Sequence, residues 1–151
     1  MPHITTRSAR RADLGELRQM ITAVAAHHGD VAQIDLDHLN RDLFGSHPWV
    51  HVLVACHGTR VVGYAALCPL VKLQYCARGM DLNHLFVVDD LRRHGVGRKL
   101  IDTAIDHARA RHCSYLMVGT DPDNDAAKRV YLACGFTPLA HNPDRFSRAI
   151  N

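Results

Sequence analysis

Several things are missing from this sequence, and each absence excludes a class of protein. No apolar run approaches the length needed to span a bilayer. The opening residues, Met-Pro-His-Ile-Thr-Thr-Arg, lack the apolar stretch of a signal peptide, so the default expectation is a cytoplasmic protein with no membrane partner. The five cysteines, at 56, 68, 76, 113 and 134, are odd in number and contain no Cys-x-x-Cys pair, which speaks against a disulfide framework or a zinc ribbon. Net charge is only +3 and dispersed, too little to argue for nucleic acid. There is no internal repeat, low-complexity tract or domain linker. A chain of 151 residues with 47 % apolar content reads as one globular domain over 1–151. The twelve histidines are scattered, and His27 and His28 are adjacent rather than three or four apart, so no metal is expected.

What is present is organised around Leu82–Lys99. Phe86, Val87 and Val88 suit a buried strand. From Val96 the apolar period changes, and Leu100, Ile101, Ala104, Ile105 and Ala108 fall on one helix face. Between strand and helix lie Arg92, Arg93, His94, Gly95, Val96, Gly97 and Arg98. The first amides of a helix lack carbonyl partners and sit at the positive end of the helix dipole. Glycines there let a phosphate approach the backbone, and the arginines add charge. Two other glycine loops do not match. A dinucleotide fingerprint needs a third glycine where Leu100 stands, and a P-loop needs Lys-Ser/Thr where Arg98-Lys99 stand. The alternative is an ordinary strand–turn–helix with a solvated basic edge.

The remaining pattern interleaves strands and helices. His3–Ala9 reads as a strand. Asp13 and Glu16 read as a capping box for a helix that stops at His28-Gly29. Asp35 opens a second helix, broken by Gly45-Ser46-His47-Pro48. Trp49–Cys56 and Arg60–Leu70 read as a hairpin about His57-Gly58-Thr59, followed by a linker with Lys72, Gln74 and Arg78. A fourth strand starts near Met80. Its apolar parity runs 80, 82, then 85, 87, a slip that a β-bulge would explain. Ser114–Thr120 reads as a fifth strand and Asn124–Cys134 as the last helix. Phe136–His141 and Arg145–Ile150 read as closing strands. Such interleaving fits a mixed α/β or α+β sandwich.

Charge is unevenly spread. Arg92, Arg93, Arg98, Lys99, Arg109 and Arg111 outnumber Asp102 and Asp106, whereas Asp30, Asp35, Asp37 and Asp42 outnumber Arg41. An anionic cofactor at the first cluster and a cationic substrate near the second would fit. Solvated helix faces are the plainer reading, above all for the acidic segment.

Arg92-x-x-Gly95-x-Gly97, preceded by Leu85-Phe-Val-Val, resembles the acetyl-coenzyme A loop of the GNAT superfamily of N-acetyltransferases. A second element, Asn124-x-x-Ala127-x-x-x-Tyr131-x-x-x-Gly135-Phe136, follows in the order found in that family. Asp42-Leu-Phe-Gly45 and Val61-Val-Gly-Tyr-Ala65 are similar to the polyamine and diamine acetyltransferase branch. The resemblance implies an α+β fold: a mixed, mostly antiparallel sheet of six to seven strands, splayed between strands four and five and flanked by about four helices. It implies acetyl-coenzyme A as acyl donor and the primary amine of a small molecule as acceptor, and it leaves room for a homodimer. By motif position, the Val87 amide would polarise the thioester carbonyl, with Phe86 and Val88 along the pantetheine arm. The amides from Arg93 to Arg98, through His94, Gly95, Val96 and Gly97, would hold the pyrophosphate, with Arg92 adding charge. Asn124 would contact the cofactor. Tyr131 would bind beside it and protonate the thiolate. The base is open. Asp81 stands where one branch has a glutamate, Asn83 where another does, and His84 or a water is the rival. A protein lysine or N-terminal acetyltransferase is the alternative activity, and a non-catalytic acyl-coenzyme A sensor is the alternative class.

Overall fold

A computed structural model describes residues 2–140 and 145–150. The chain divides into two compact units, Met1–Gly119 and Thr120–Asn151. No helix among the described residues is long and apolar enough to cross a membrane.

The first unit is a five-stranded sheet in the order β1-β2-β3-β4-β5. Its strands are β1 (Ile4–Ser8), β2 (His51–His57), β3 (Arg60–Lys72), β4 (Ala77–Val87) and β5 (Tyr115–Val118). All neighbours are antiparallel except β4 and β5, which run parallel. Helix α3 (Val96–Ala110) buries Val96, Leu100, Ile101, Ala104 and Ala108 against one face, the stripe its period predicts. The other face carries α1 (Leu14–His27) and α2 (Leu36–Phe44), with Leu17 and Met20 packed on Val52, Val54, Tyr64 and Ala66. The second unit holds α4 (Asp125–Ala133), capped by Asn124, whose Oδ1 accepts from the Ala127 amide at 3.1 Å.

Four expectations need correction. Asp13 does not cap α1. Only 5 % exposed, it takes a bidentate pair with Arg7 at 2.7 and 3.0 Å and accepts from the Arg10 amide at 2.7 Å. The Arg7 guanidinium holds its carboxyl below the usual range. Glu16 reaches across to β3 instead, where its Oε2 accepts from the Val61 amide at 3.0 Å. Residues 71–79 are not a linker. β3 runs to Lys72 and β4 starts at Ala77, joined by one short turn, so Lys72 and Arg78 are strand residues. Trp49 lies before β2 and is exposed. Finally, among the described residues the sheet has five strands, not six or seven. Phe136–Ala140 forms no strand: Pro138 lacks the amide a ladder needs. Arg145–Ile150 forms none either, with Phe146 and Ile150 turned to solvent, and His141–Asp144 lie outside the described residues.

The expected bulge is present. Ala66 pairs with His84 but Leu67 pairs with Leu82, so Asn83 is the extra residue of β4. Beyond it the faces exchange parity. Phe86 and Val88 join the α1 side, while Val87 turns toward α3. The splay is present too, since β5 pairs with β4 only from Gly79 to Leu82.

One packing detail carries a pH dependence. His51 of β2 stacks on His107 of α3, centroids 4.0 Å apart and planes at 16°. Burial first, then His107 and Arg111, lower the His51 pKa to about 4; burial first, then Arg111, lowers that of His107. In the unfolded chain both titrate near their ordinary value of about 6.5. Between those values the unfolded chain binds more protons, so stability is lost as pH falls from about 6.5 toward 4. His107→Phe keeps a ring in the stack and removes a buried Nε2 that has no hydrogen-bond partner. Its Tm is expected to fall less than the wild-type Tm between pH 7 and 4.5. Parallel melting curves for the two proteins would refute this assignment.

Candidate active site

The site grows from the end of β4. The Val88 amide donates to the Val62 carbonyl at 2.9 Å, inside the β3 ladder. Backbone groups alternate in direction along a strand, so the neighbouring Val87 amide and carbonyl point away from β3, toward the splayed edge. The carbonyl is taken: Arg92 Nε donates to it at 3.0 Å. The amide faces the side that β5 leaves open after Leu82. Gly63, opposite Val87, permits this close packing, for a Cβ there would lie 2.7 Å from the Phe86 carbonyl and 3.3 Å from Leu100.

After Val88 a single 3-10 turn, Asp89–Leu91, leads into the glycine loop. Arg93 and Gly95 both adopt left-handed backbone, at φ +64° and +79°. Left-handed residues among right-handed ones turn amides toward a common point, which is how backbone nests hold anions. The His94 ring Nδ1 donates to the Arg92 carbonyl at 2.8 Å and closes the turn. Gly95 is the cap from which α3 starts. A Cβ at Gly95 would meet nothing within 4 Å, and one at Gly97 only Val87 Cγ2 at 3.9 Å. Unlike Gly63, these glycines are not needed for internal packing. They leave open ground above the first amides of α3, which is what a diphosphate requires. The residues present therefore fit a coenzyme A diphosphate. Arg92 is engaged locally, by Asp89 at 3.0 Å and over the Phe86 ring at 5.6 Å, and braces the loop.

Two clefts flank this region on the α1 side. The larger, about 560 Å³, lies between α1 and the end of β4 and is lined by Met20, Ala23 and His27 with Phe86, Val88 and Arg92. The smaller, about 190 Å³, has walls from Leu17 and Ile21 of α1, Leu39 and Leu43 of α2, and Val52 of β2. Its polar atoms come from Tyr64, Cys68, Asn83 and His84. The Tyr64 hydroxyl and His84 Nδ1 are 3.0 Å apart. Burial first, then the charge of His28, lowers the His84 pKa, so the ring is neutral at pH 7. Burial raises the Tyr64 phenol.

The two candidate bases sit differently. Asp81 pairs with Cys68 on one side and Met117 on the other, within the fully laddered part of β4. His84 follows the bulge and lines the smaller cleft. Three members of the acidic segment have local duties. Asp35 caps α2 through the Asp37 and His38 amides, Asp42 binds Arg41, and Asp30 accepts from the Val31 amide. Among the described residues no three His, Cys, Asp or Glu side chains converge as a metal site would require.

In the second unit Tyr131 sits on α4, half-buried, with the Phe136 ring edge-on at 5.8 Å. Burial first, then Cys134, raises its pKa, so the phenol keeps its proton at neutral pH. Asn124 serves as the α4 cap. The sequence reading missed Tyr64 and the small cleft. Tyr64 was within view in Val61–Ala65, but the cleft is assembled from five separate elements.

The Acetyltransferase (GNAT) family pattern matches residues 16–136. Thialysine N-epsilon-acetyltransferase of Mus musculus is 27 % identical over 146 residues, which cover 90 % of this chain and 85 % of the relative. Aminoglycoside N(6')-acetyltransferase type 1 of Klebsiella aerogenes is 34 % identical over 93 residues, 60 % of each chain. The crystal structure of an aminoglycoside acetyltransferase from an uncultured soil metagenomic sample superposes with TM-score 0.80 at 20 % identity, covering 98 % of this chain and 97 % of that one. With the pattern spanning most of its length, the chain belongs to the GNAT family of acetyltransferases and is an N-acetyltransferase.

Proposed function

We propose that residues 1–151 act as one domain that moves an acetyl group from acetyl-coenzyme A to the primary amine of a small molecule, in the cytoplasm. The observation that carries this reading is the end of β4, where the Val87 amide faces the open edge beside the bared start of α3. When bound, acetyl-coenzyme A supplies the thioester that the amine attacks. The Val87 N–H is a fixed donor for the carbonyl oxygen as negative charge develops there. Amides from Arg93 to Arg98 hold the diphosphate at the α3 terminus. Phe86 and Val88 line the larger cleft, whose volume is within the range of small-ligand sites. Asn124 contributes from the start of α4.

Proton traffic falls to two groups. An alkylammonium has a pKa of about 10.4 and no free lone pair, so it must lose a proton before attack. His84 is the base this geometry favours over Asp81. With Nδ1–H donating to the Tyr64 oxygen, Nε2 is left to accept. Burial that weakens His84 as a base also weakens a bound ammonium's hold on its proton. As the C–S bond breaks, Tyr131 donates to the departing sulfur.

Gly97→Val tests the donor site. It places a branched side chain over the α3 amides and meets only Val87 Cγ2 within the protein, so the fold should persist. Calorimetry should show acetyl-coenzyme A affinity reduced at least about tenfold, since close backbone approach is lost. Wild-type affinity would remove the loop assignment. Thiol release measured over a panel of small amines and peptides then tests the acceptor class.

A further inference from the structure

Resting on the small-amine reading above, we infer that the acceptor carries an apolar body, an alkyl chain or single aromatic ring, seated in the 190 Å³ cleft with its amine at His84. The cleft has hydrocarbon walls from three elements: Leu17 and Ile21 of α1, Leu39 and Leu43 of α2, and Val52 of β2. Ile21, Leu39 and Leu43 are half-exposed, so this is an accessible recess and not a sealed void in the core. Among the described residues no carboxylate lines it. A polycation seated there would leave its further charges unpaired against hydrocarbon. Of the acidic residues around the nearby helix, Asp35 is held by the α2 amides and Asp42 by Arg41, while Asp37 is exposed and lines no part of the cleft. Size points the same way. A hydrocarbon cavity of about 150 Å³ accepts benzene, so 190 Å³ suits a ring of that size or a short alkyl chain. A multi-ring aminoglycoside is far larger. Of the polar side chains that line the cleft, Tyr64 and Cys68 stand on β3, while Asn83 and His84 belong to the bulge of β4. That position turns the amine toward the strand that carries the Val87 amide.

The test is a series of straight-chain amines from ethylamine to octylamine, with spermidine, thialysine and kanamycin alongside, assayed by thiol release from acetyl-coenzyme A. A buried methylene is worth about fourfold, so kcat/KM should climb by roughly that factor per carbon and level off when the cleft is full. Phenethylamine should exceed spermidine and kanamycin. Leu39→Trp narrows the cleft from a half-exposed position that the fold tolerates, and it should move the plateau to shorter chains. Leu43→Ala should move it to longer ones. A flat series, or spermidine or kanamycin outperforming hexylamine, overturns the apolar acceptor while the small-amine activity stands. Release with peptides and with no small amine overturns that activity as well. A plateau that neither variant moves places the acceptor outside this cleft.

Discussion

Tyr131→Phe is expected to lower kcat by about 10²–10⁴-fold, the usual worth of general acid catalysis, with little change in KM. Burial raises its pKa, so the phenol keeps its proton, and in the role proposed for it that proton is available when charge builds on the sulfur. A group that acts only as the bond breaks contributes to the transition state and not to ground-state binding. Phenylalanine keeps the ring against Phe136, so the melting temperature should hardly move. Steady-state thiol release at saturating amine and donor measures the effect. A tyrosine that merely packs would leave kcat near wild type, and that result would return weight to a binding protein without catalysis.

His84→Gln is the second large effect. At neutral pH it should reduce kcat/KM by about a hundredfold or more, within the range for removing a general base. The deficit should shrink as pH rises toward the amine's own pKa, because free amine then arrives without help. Sign matters here. Burial lowers the His84 pKa, so the wild-type enzyme should hold its activity below the ordinary imidazole range and lose it only as pH falls further. The variant should lack that acidic limb. Tyr131→Phe should show no recovery at high pH, which separates acid from base. Asp81→Asn is the control. A profile like the wild type's leaves the base at His84; loss of the acidic limb in Asp81→Asn alone would transfer the role to Asp81.

Features made by neighbours in sequence were legible before the structure. The Gly95–Gly97 loop, the α3 stripe, the Asp35 cap and the slip within β4 each depend on residues a few positions apart. Features made by distant residues were not. Asp13 and Glu16 have capping-box spacing, yet Arg7 and Val61 claim their carboxylates, and a salt bridge or a cross-strand bond outweighs a local cap. The tip of the β3–β4 hairpin, between Leu70 and Met80, looked like a linker because Lys72, Gln74 and Arg78 face solvent. Its strands are held by backbone pairing, which leaves no apolar alternation to read. The small cleft draws on α1, α2, β2, β3 and β4, and no window of sequence contains it.

Asn83 has a consequence for how this protein tolerates change. The residue is exposed, and any side chain that accepts a strand backbone could replace it there. Its removal is another matter, and the reason is not the pairing. Leu82 already pairs with Leu67 and His84 with Ala66, so without Asn83 every later residue would keep its partner and its face. What would go is the bend, because an extra residue kinks and twists its strand, and β4 parts from β5 directly before this one. A chain shortened by one here would keep Phe86 and Val88 toward α1, yet its β4 would run on without the local turn that precedes the open edge at Val87.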